Sequence, residues 1–469
     1  MKIKPLLSAA CLALAFVGSA LAQALPPVVE QAFQRAEIPP FAIGAYVQEI
    51  GGPVVMATNW DVPFNPASTM KLVTSNAGLE LLGPTFTWKT EAYASGRLTG
   101  EVLHGDLVIK GGGDPKLVLE NFWMFLRRIR ERGIREIHGD LVLDRSIFED
   151  LPYDAAAFDG DPMKPYNVGP DALLLNYKSL GFRFLPDEHD KRVRAVVDPP
   201  LAGFSVSAPR LVSGECGDWR ARLQPSIDGS GARFEGVYSL ACGERAWYVH
   251  PYQLSHEQYF GAVFRRMWAE LGGKLVGTVR NGHVPADAKL VAEWQSPPLS
   301  DLIRDINKFS NNVMARQLLL TIANQALKLP ATPERGAAVV KTWLAAKGID
   351  APELSIENGS GLSRSERISA LTLARLLIAA YQAPTMPEFM SSMALVGYDG
   401  TMRKRLNGHG VAGQAHIKTG ALNDVRAVAG YILAASGKRY VVVCLVNHAN
   451  APRAREAQDA LLQWVYERG

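Results

Sequence analysis

The 469-residue sequence is poor in cysteine: it has four, and only Cys216, Cys242 and Cys444 lie beyond residue 22. None has metal-site spacing and none has a histidine arranged beside it for nucleophilic work, which excludes zinc-ribbon and cysteine-enzyme chemistry. The nine histidines include no H-E-x-x-H; His256-Glu257 is followed by no second histidine at the needed offset. The formal charge of +4 is small for this length and reads as ordinary surface charge, so no nucleic-acid partner is expected. After the first two dozen residues no stretch is long and apolar enough to cross a bilayer, so no transmembrane segment is expected either. There is no fixed-period repeat and no low-complexity linker, and 48% of the residues are hydrophobic, as in globular chains. Gly111-Gly112-Gly113-Asp114 lacks the Lys-Ser/Thr of a phosphate loop and reads as a tight turn after a strand. No metal or cofactor is implied anywhere.

What is present starts at the amino end. Lys2 and Lys4 precede an apolar run from Leu6 to Val17, and Ala20-Leu21-Ala22 offers small residues for cleavage before Gln23. That order is a secretory signal peptide over residues 1–22 and places the mature protein in the periplasm. Cys11 sits inside the apolar run and not at its end, which argues against a lipid anchor. An oxidising compartment permits disulfides. Cys216 and Cys242 share one segment flanked by glycine and polar residues and are expected to pair, whereas Cys444 lies in the strand-like run Tyr440–Val446 and is expected as a buried thiol.

The remaining chain is about three times a typical domain, so more than one folding unit is expected. A short helix over Val28–Ala36 precedes strands at Phe41–Glu49 and Pro53–Thr58. From Ser68 apolar residues recur at three- and four-residue steps up to Gly83-Pro84, the pattern of a buried helix with a stop signal. The middle is strand-rich, with Val102–Lys110, Ile137–Leu143, Val193–Val197 and Phe234–Leu240 between Gly, Pro and Asp punctuation. Helices are expected at Asn121–Arg132, Ser255–Gly272 and broadly after Asp301. The chain closes with strands around His416, at Ala427–Ala434 and at Tyr440–Val446, and a core helix from Arg453 to Glu467.

Three short patterns carry chemistry. In Ser68-Thr69-Met70-Lys71 the spacing puts a hydroxyl and an amine on one helix face. Serine needs a base, and lysine serves when burial and neighbours lower its pKa. Ser310-Asn311-Asn312 supplies a second hydroxyl and an amide. Lys418-Thr419-Gly420, ending a strand-like run, offers a cation, a hydroxyl and an open backbone edge to a substrate ending in a carboxylate. Each alone is weak; a surface lysine, a polar turn and a strand end would explain them. In this order, and on a helix start, a helical region and a strand, they match the S-x-x-K, S-x-N and K-T-G set of penicillin-binding proteins and serine β-lactamases.

The chain further resembles the class C low-molecular-mass penicillin-binding proteins, the D-alanyl-D-alanine carboxypeptidase and endopeptidase family. The marks are the long separation of Ser68 from Ser310, Gly105-Asp-Leu-Val-Ile-Lys-Gly-Gly-Gly-Asp-Pro115, Gly139-Asp-Leu-Val-Leu-Asp144, Asn358-Gly-Ser-Gly-Leu-Ser-Arg364 and Asp399-Gly-Thr401. The resemblance implies an α/β (α+β) fold: a penicillin-binding/serine β-lactamase-like catalytic domain in two parts, 23–92 and 262–469, with a strand-rich insertion over 93–261. It implies Ser68 as nucleophile on the penultimate D-Ala carbonyl, Lys71 as base, and Ser310 and Lys418 as proton relays. Asn312 would hold the substrate amide, Thr419 and Gly420 the terminal carboxylate end, and the N–H groups of Ser68 and Ala421 the oxyanion. Many relatives carry a hydroxyl residue where Ala421 stands. Peptidoglycan stem peptides and cross-links are the implied substrates, and β-lactams the implied covalent inhibitors. Arg364 and Asp144 are expected to line a pocket for the zwitterionic end of a diaminopimelate side chain; a loop cation and a strand-end turn residue are their plainer explanations. A serine β-lactamase would deacylate rapidly and needs a far shorter chain. A catalytically silent wall-binding protein would have lost a motif residue, and none is lost.

Overall fold

The computed structural model describes residues 24–469; the signal peptide expected over 1–22, with Cys11, lies outside the described residues. The chain folds into mixed α and β layers. The part built from the two ends of the chain holds a six-stranded antiparallel sheet in the order Val54–Thr58, Ile43–Glu49, Arg439–Asn447, Val425–Leu433, Ala415–Leu422 and Ala394–Leu395. Residues from the two ends of the chain are thus neighbours in one sheet.

Both faces of this sheet are covered, which is why its central strands read as unbroken apolar runs and not as alternating ones. Alternation along a strand still sorts the side chains. Ala427, Ala429, Tyr431, Val441, Val443 and Leu445 join one core with the helices Met70–Leu82, Leu299–Lys308, Asn312–Leu327 and Ala370–Gln382. Val428, Ile432, Val442, Cys444 and Val446 face the other core, under the terminal helices Pro27–Arg35 and Arg455–Arg468. Cys444 is a buried free thiol there, as expected.

The strand-rich middle has its own core. Lys89–Thr99 pairs with Val102–Gly111 and, on its other edge, with Lys289–Gln295. The sheet pairing therefore carries this unit past residue 261, to Gln295. The expected strand Ile137–Leu143 is split into Glu136–Ile137 and Leu141–Asp144, because Gly139 packs against the backbone of Gly105 at the crossing. Phe234–Leu240 is likewise broken, with Gly231–Phe234 and Val237–Ser239 separated at Gly236, where a β-carbon would meet the carbonyl of Arg222. A cluster of Phe182, Phe184, Phe234 and Tyr238 fills the interior, with Phe184 and Phe234 edge-to-face at 4.9 Å. Cys216 and Cys242 are disulfide-bonded beside it, as expected. No helix among the described residues is long and apolar enough to cross a membrane.

Candidate active site

Ser68 is expected at the first turn of an α-helix. It sits instead in a 3-10 turn, Ala67–Thr69, that runs into the helix Met70–Leu82. The tighter turn helps, since side chains three apart eclipse in 3-10 geometry: Lys71 Nζ lies 2.9 Å from Ser68 Oγ. Ala67 takes a left-handed φ of 43°, a conformation that needs support from its surroundings. Asn65 provides it. Its Oδ1 accepts the Ala67 N–H (2.9 Å), and its Nδ2 donates to the Ser363 carbonyl (2.9 Å). Its backbone exchanges two hydrogen bonds with the Asn447 side chain, at 2.7 and 3.0 Å.

Lys71 is fully buried. Besides Ser68, its amine meets Asn312 Oδ1 at 2.5 Å and the carbonyl of Ser360. A neutral amine has two N–H donors and one lone pair. The two acceptors, Asn312 and Ser360, take the donors and leave the lone pair to the Ser68 hydroxyl. Burial first, then the cation of Lys418, holds Lys71 well below the usual lysine range, against an opposing pull from Glu366. The amine is therefore suited to accept a proton near neutrality.

Ser310 and Asn312 lie where the helix Leu299–Lys308 ends and the helix Asn312–Leu327 begins. Ser310 has a left-handed φ of 59°, and Asn311 caps the second helix by accepting the Met314 N–H at 3.1 Å. This kink points Ser310 Oγ at Lys418 Nζ, 2.9 Å away. Lys418 is also fully buried, on the strand Ala415–Leu422, and donates to the Thr419 carbonyl at 2.7 Å. Burial lowers it to about 7. Ser68, Lys71 and Asn312 thus form one hydrogen-bonded group, and Ser310 with Lys418 a second.

Two glycines let the turn, the strand and the loop meet. A β-carbon on Gly420 would lie 2.7 Å from the Pro66 carbonyl and 3.0 Å from Ser68 N, so this strand edge runs against the Ser68 amide. Gly361 has φ 78°, and a β-carbon there would overlap the Ala67 carbonyl at 1.9 Å. Thr419 is half-buried, with its Oγ1 donating to Thr401 Oγ1 at 2.8 Å, and Ala421 is exposed at the end of the same edge.

Sequence reasoning missed Glu366. It is fully buried, and its Oε1 accepts three successive backbone N–H groups, of Glu357, Asn358 and Gly359, at 3.1, 3.0 and 2.9 Å. Those amides belong to the loop whose Ser360 carbonyl binds Lys71, so Glu366 helps to fix the surroundings of the Lys71 amine. Burial raises its carboxyl above the usual range, against the amide hydrogen bonds. The only signal was a carboxylate two residues past a Gly-rich segment.

Arg364 and Asp144 are not brought together. Asp144 is nearly buried, with Oδ1 accepting from Ser146 N and Oγ (3.1 and 2.6 Å) and Oδ2 from Val284 N (3.1 Å). Burial works to raise its carboxyl, but these hydrogen bonds outweigh it and leave the pKa lowered. Arg364 stacks over the Phe158 ring at 4.6 Å and donates to Asp424 at 3.1 Å. It lines a cavity of about 490 Å³ with Tyr153, Asp154, Phe158, Arg316 and Glu357, beside Asn358 and Ser363 of the Lys71 loop. Glu149, Asp154, Glu334 and Glu357 share this cavity with Arg364, and Asp144 does not line it.

A family model described as the D-Ala-D-Ala carboxypeptidase 3 (S13) family matches residues 27–468. A D-alanyl-D-alanine carboxypeptidase of Actinomadura sp. (strain R39) is 29% identical over 425 residues, covering 84% of this chain and 76% of that protein. The D-alanyl-D-alanine carboxypeptidase DacB of Haemophilus influenzae is 25% identical over 383 residues, covering 81% of this chain and 80% of its own. The crystal structure of penicillin binding protein 4 (dacB) from Haemophilus influenzae matches with a TM-score of 0.79 at 23% identity, over 94% of this chain and 99% of that one. That likeness is one of fold.

Proposed function

This chain belongs to the D-Ala-D-Ala carboxypeptidase 3 (S13) family and is a serine-type D-Ala-D-Ala carboxypeptidase, and from that premise we propose that Ser68 is its nucleophile. The observation that carries the assignment is the half-buried Ser68 hydroxyl at 2.9 Å from a buried amine whose remaining contacts are acceptors. Lys71 takes the Oγ proton as Oγ bonds to the carbonyl carbon of the penultimate D-Ala. The oxyanion faces the N–H groups of Ser68 and Ala421, worth about 2.7–4 kcal/mol per donor in comparable sites. The C–N bond then breaks. The departing amine receives a proton from the Ser310–Lys418 pair, and the proton held on Lys71 restores that pair. Water attacks the Ser68 ester, gives its proton to Lys71 and releases the shortened peptide, and Ser68 leaves reprotonated.

Asn312 has Oδ1 engaged by Lys71, which leaves its Nδ2 to donate to the substrate's carbonyl. Thr419 receives the terminal carboxylate beside the Lys418 cation, with Gly420 giving close backbone approach. The cavity at Arg364 suits a zwitterionic side chain on the acyl side, with Arg364 for a carboxylate and Asp154 for an ammonium. We place the activity in the periplasm, on stem peptides and cross-links of peptidoglycan, with β-lactams acylating the same serine. A serine β-lactamase and a silent wall-binding protein are not favoured by the family match or by the full motif set. The test is intact mass after incubation with a penicillin. One adduct is expected on the wild-type protein and none on Ser68→Ala; no adduct on either overturns the assignment.

A further inference from the structure

A second cavity, of about 640 Å³, opens along Thr419, Gly420 and Ala421 and shares no residue with the one at Arg364. Its charged lining is all cationic: Arg403, Lys404, Arg405, Arg426 and Arg455 line it, and no carboxylate does. Two of these charges are already used. Arg405 is nearly buried and binds Asp459 at 2.6 Å, and Arg426 is turned onto the carbonyls of Leu422 and Val425. Arg403 and Lys404 are exposed and make no ion pair among the described residues. Arg455 donates to the Lys404 carbonyl at 3.2 Å and reaches Asp459 only at 3.9 Å. Phe309, 68% exposed, adds an aromatic face to the same wall.

A released D-Ala carries one carboxylate, which the Thr419 end of the strand already accommodates. It has no use for two unpaired cations, a third held only at 3.9 Å from its partner, and a cavity of this size. We propose that the cavity is a leaving-side subsite for an acidic peptide, one bearing carboxylates beyond that held at Thr419, so that the enzyme favours cross-links whose departing strand is anionic. This rests on the Ser68 reading for its direction: whatever follows the scissile amide continues past Thr419 and Thr401, and both line the cavity. Cations spread along a rim act over roughly 10 Å at moderate salt, steering the anionic strand in before close contact.

The experiment compares kcat/KM for two substrates sharing one acyl peptide, one releasing D-Ala and one releasing a peptide with two additional carboxylates. In the wild-type protein the acidic leaving group is preferred, and the preference shrinks with added salt. In the double variant Arg403→Gln, Lys404→Gln the preference falls by about tenfold, as expected for removed rim charges. Equal loss on both substrates, or an unchanged preference, overturns the proposal. Should neither substrate turn over, the Ser68 reading has failed, and the cavity is read directly by titrating the acidic leaving peptide alone onto both proteins. Weaker binding to the double variant then supports the subsite, and equal binding overturns it.

Discussion

Gly420 and Ser68 touch backbone to backbone: the one hydrogen of Gly420 that a side chain would replace faces the Ser68 amide, where a β-carbon would stand 3.0 Å away. The contact joins the K-T-G strand to the nucleophile's turn and leaves no room for a methyl. Gly420→Ala is therefore expected to push strand and turn apart by a few tenths of an ångström. Acylation by a penicillin should slow by about 10²-fold while the thermal transition barely moves. Stopped-flow acylation beside calorimetry checks both.

Lys71→Met keeps the buried volume and removes the base. Loss of a positioned general base costs roughly 10²–10⁴-fold, so acylation should nearly stop. Stability should fall, because Asn312 Oδ1 and the Ser360 carbonyl lose their donor in the interior. An acylation rate within tenfold of wild type would mean the proton goes elsewhere.

The two lysines set a pH profile with predictable signs. Lys71 must be neutral, so kcat/KM rises through a limb well below the ordinary lysine range. Lys418 must be charged to attract the terminal carboxylate, so kcat/KM falls as pH passes about 7. For a neutral β-lactam ester the upper fall should be shallower, since only proton delivery to the leaving nitrogen still draws on Lys418. Rate profiles of the carboxylate substrate and the ester, side by side, decide it.

Asp114 follows the Gly-rich turn and has Oδ1 on the Lys116 N–H at 2.8 Å and Oδ2 without a partner. Burial pushes it from 3.8 to about 7. A raised folded-state pKa means the folded chain holds the proton more tightly. Its contribution is full below pH 3.8 and is lost as pH climbs through about 7. Asp114→Asn should remove that slope: thermal midpoints of the two proteins should diverge between pH 5 and 8, with the variant the more stable at the upper end.

Glu366→Ala would leave three loop amides without their acceptor, the buried one of Gly359 costing about 1–3 kcal/mol. The loop carrying Ser360 should loosen, Lys71 should lose its fixed geometry, and acylation should slow together with a drop in melting temperature. Glu366→Gln, which keeps an acceptor oxygen, should restore part of both.

The reactive residues were legible because each motif is a local word: Ser68 with Lys71, Ser310 with Asn312, and Lys418 with Thr419 are close in sequence, and their chemistry needs no partner to be recognised. The supports were not. Asn65 and Asn447 hold each other across nearly the whole chain, and nothing in either neighbourhood announces it. Asp144 was named by resemblance, and nothing around Asp154 drew attention to it, yet Asp154 lines the cavity with Arg364. Strands Lys89–Thr99 and Lys289–Gln295 were passed over because their burial is partial and their pairing is distant. The helix start was misjudged by two residues, since a 3-10 entry and an α-helix entry have the same apolar spacing over a single turn.

The pairing of Ile43–Glu49 with Arg439–Asn447 has a bearing on how the molecule comes into being. The unit from Lys89 to Gln295 makes its sheet contacts within itself and can form as soon as that stretch of chain is available. The sheet beneath Ser68 cannot, because its middle strands are among the last residues made. Closing so long a loop is slow, and until it closes Lys71 is an ordinary solvated ammonium. On the Ser68 reading, acylation by a penicillin therefore waits on the docking of the carboxyl-terminal strands, which the chain cannot complete until its last fifty residues are present.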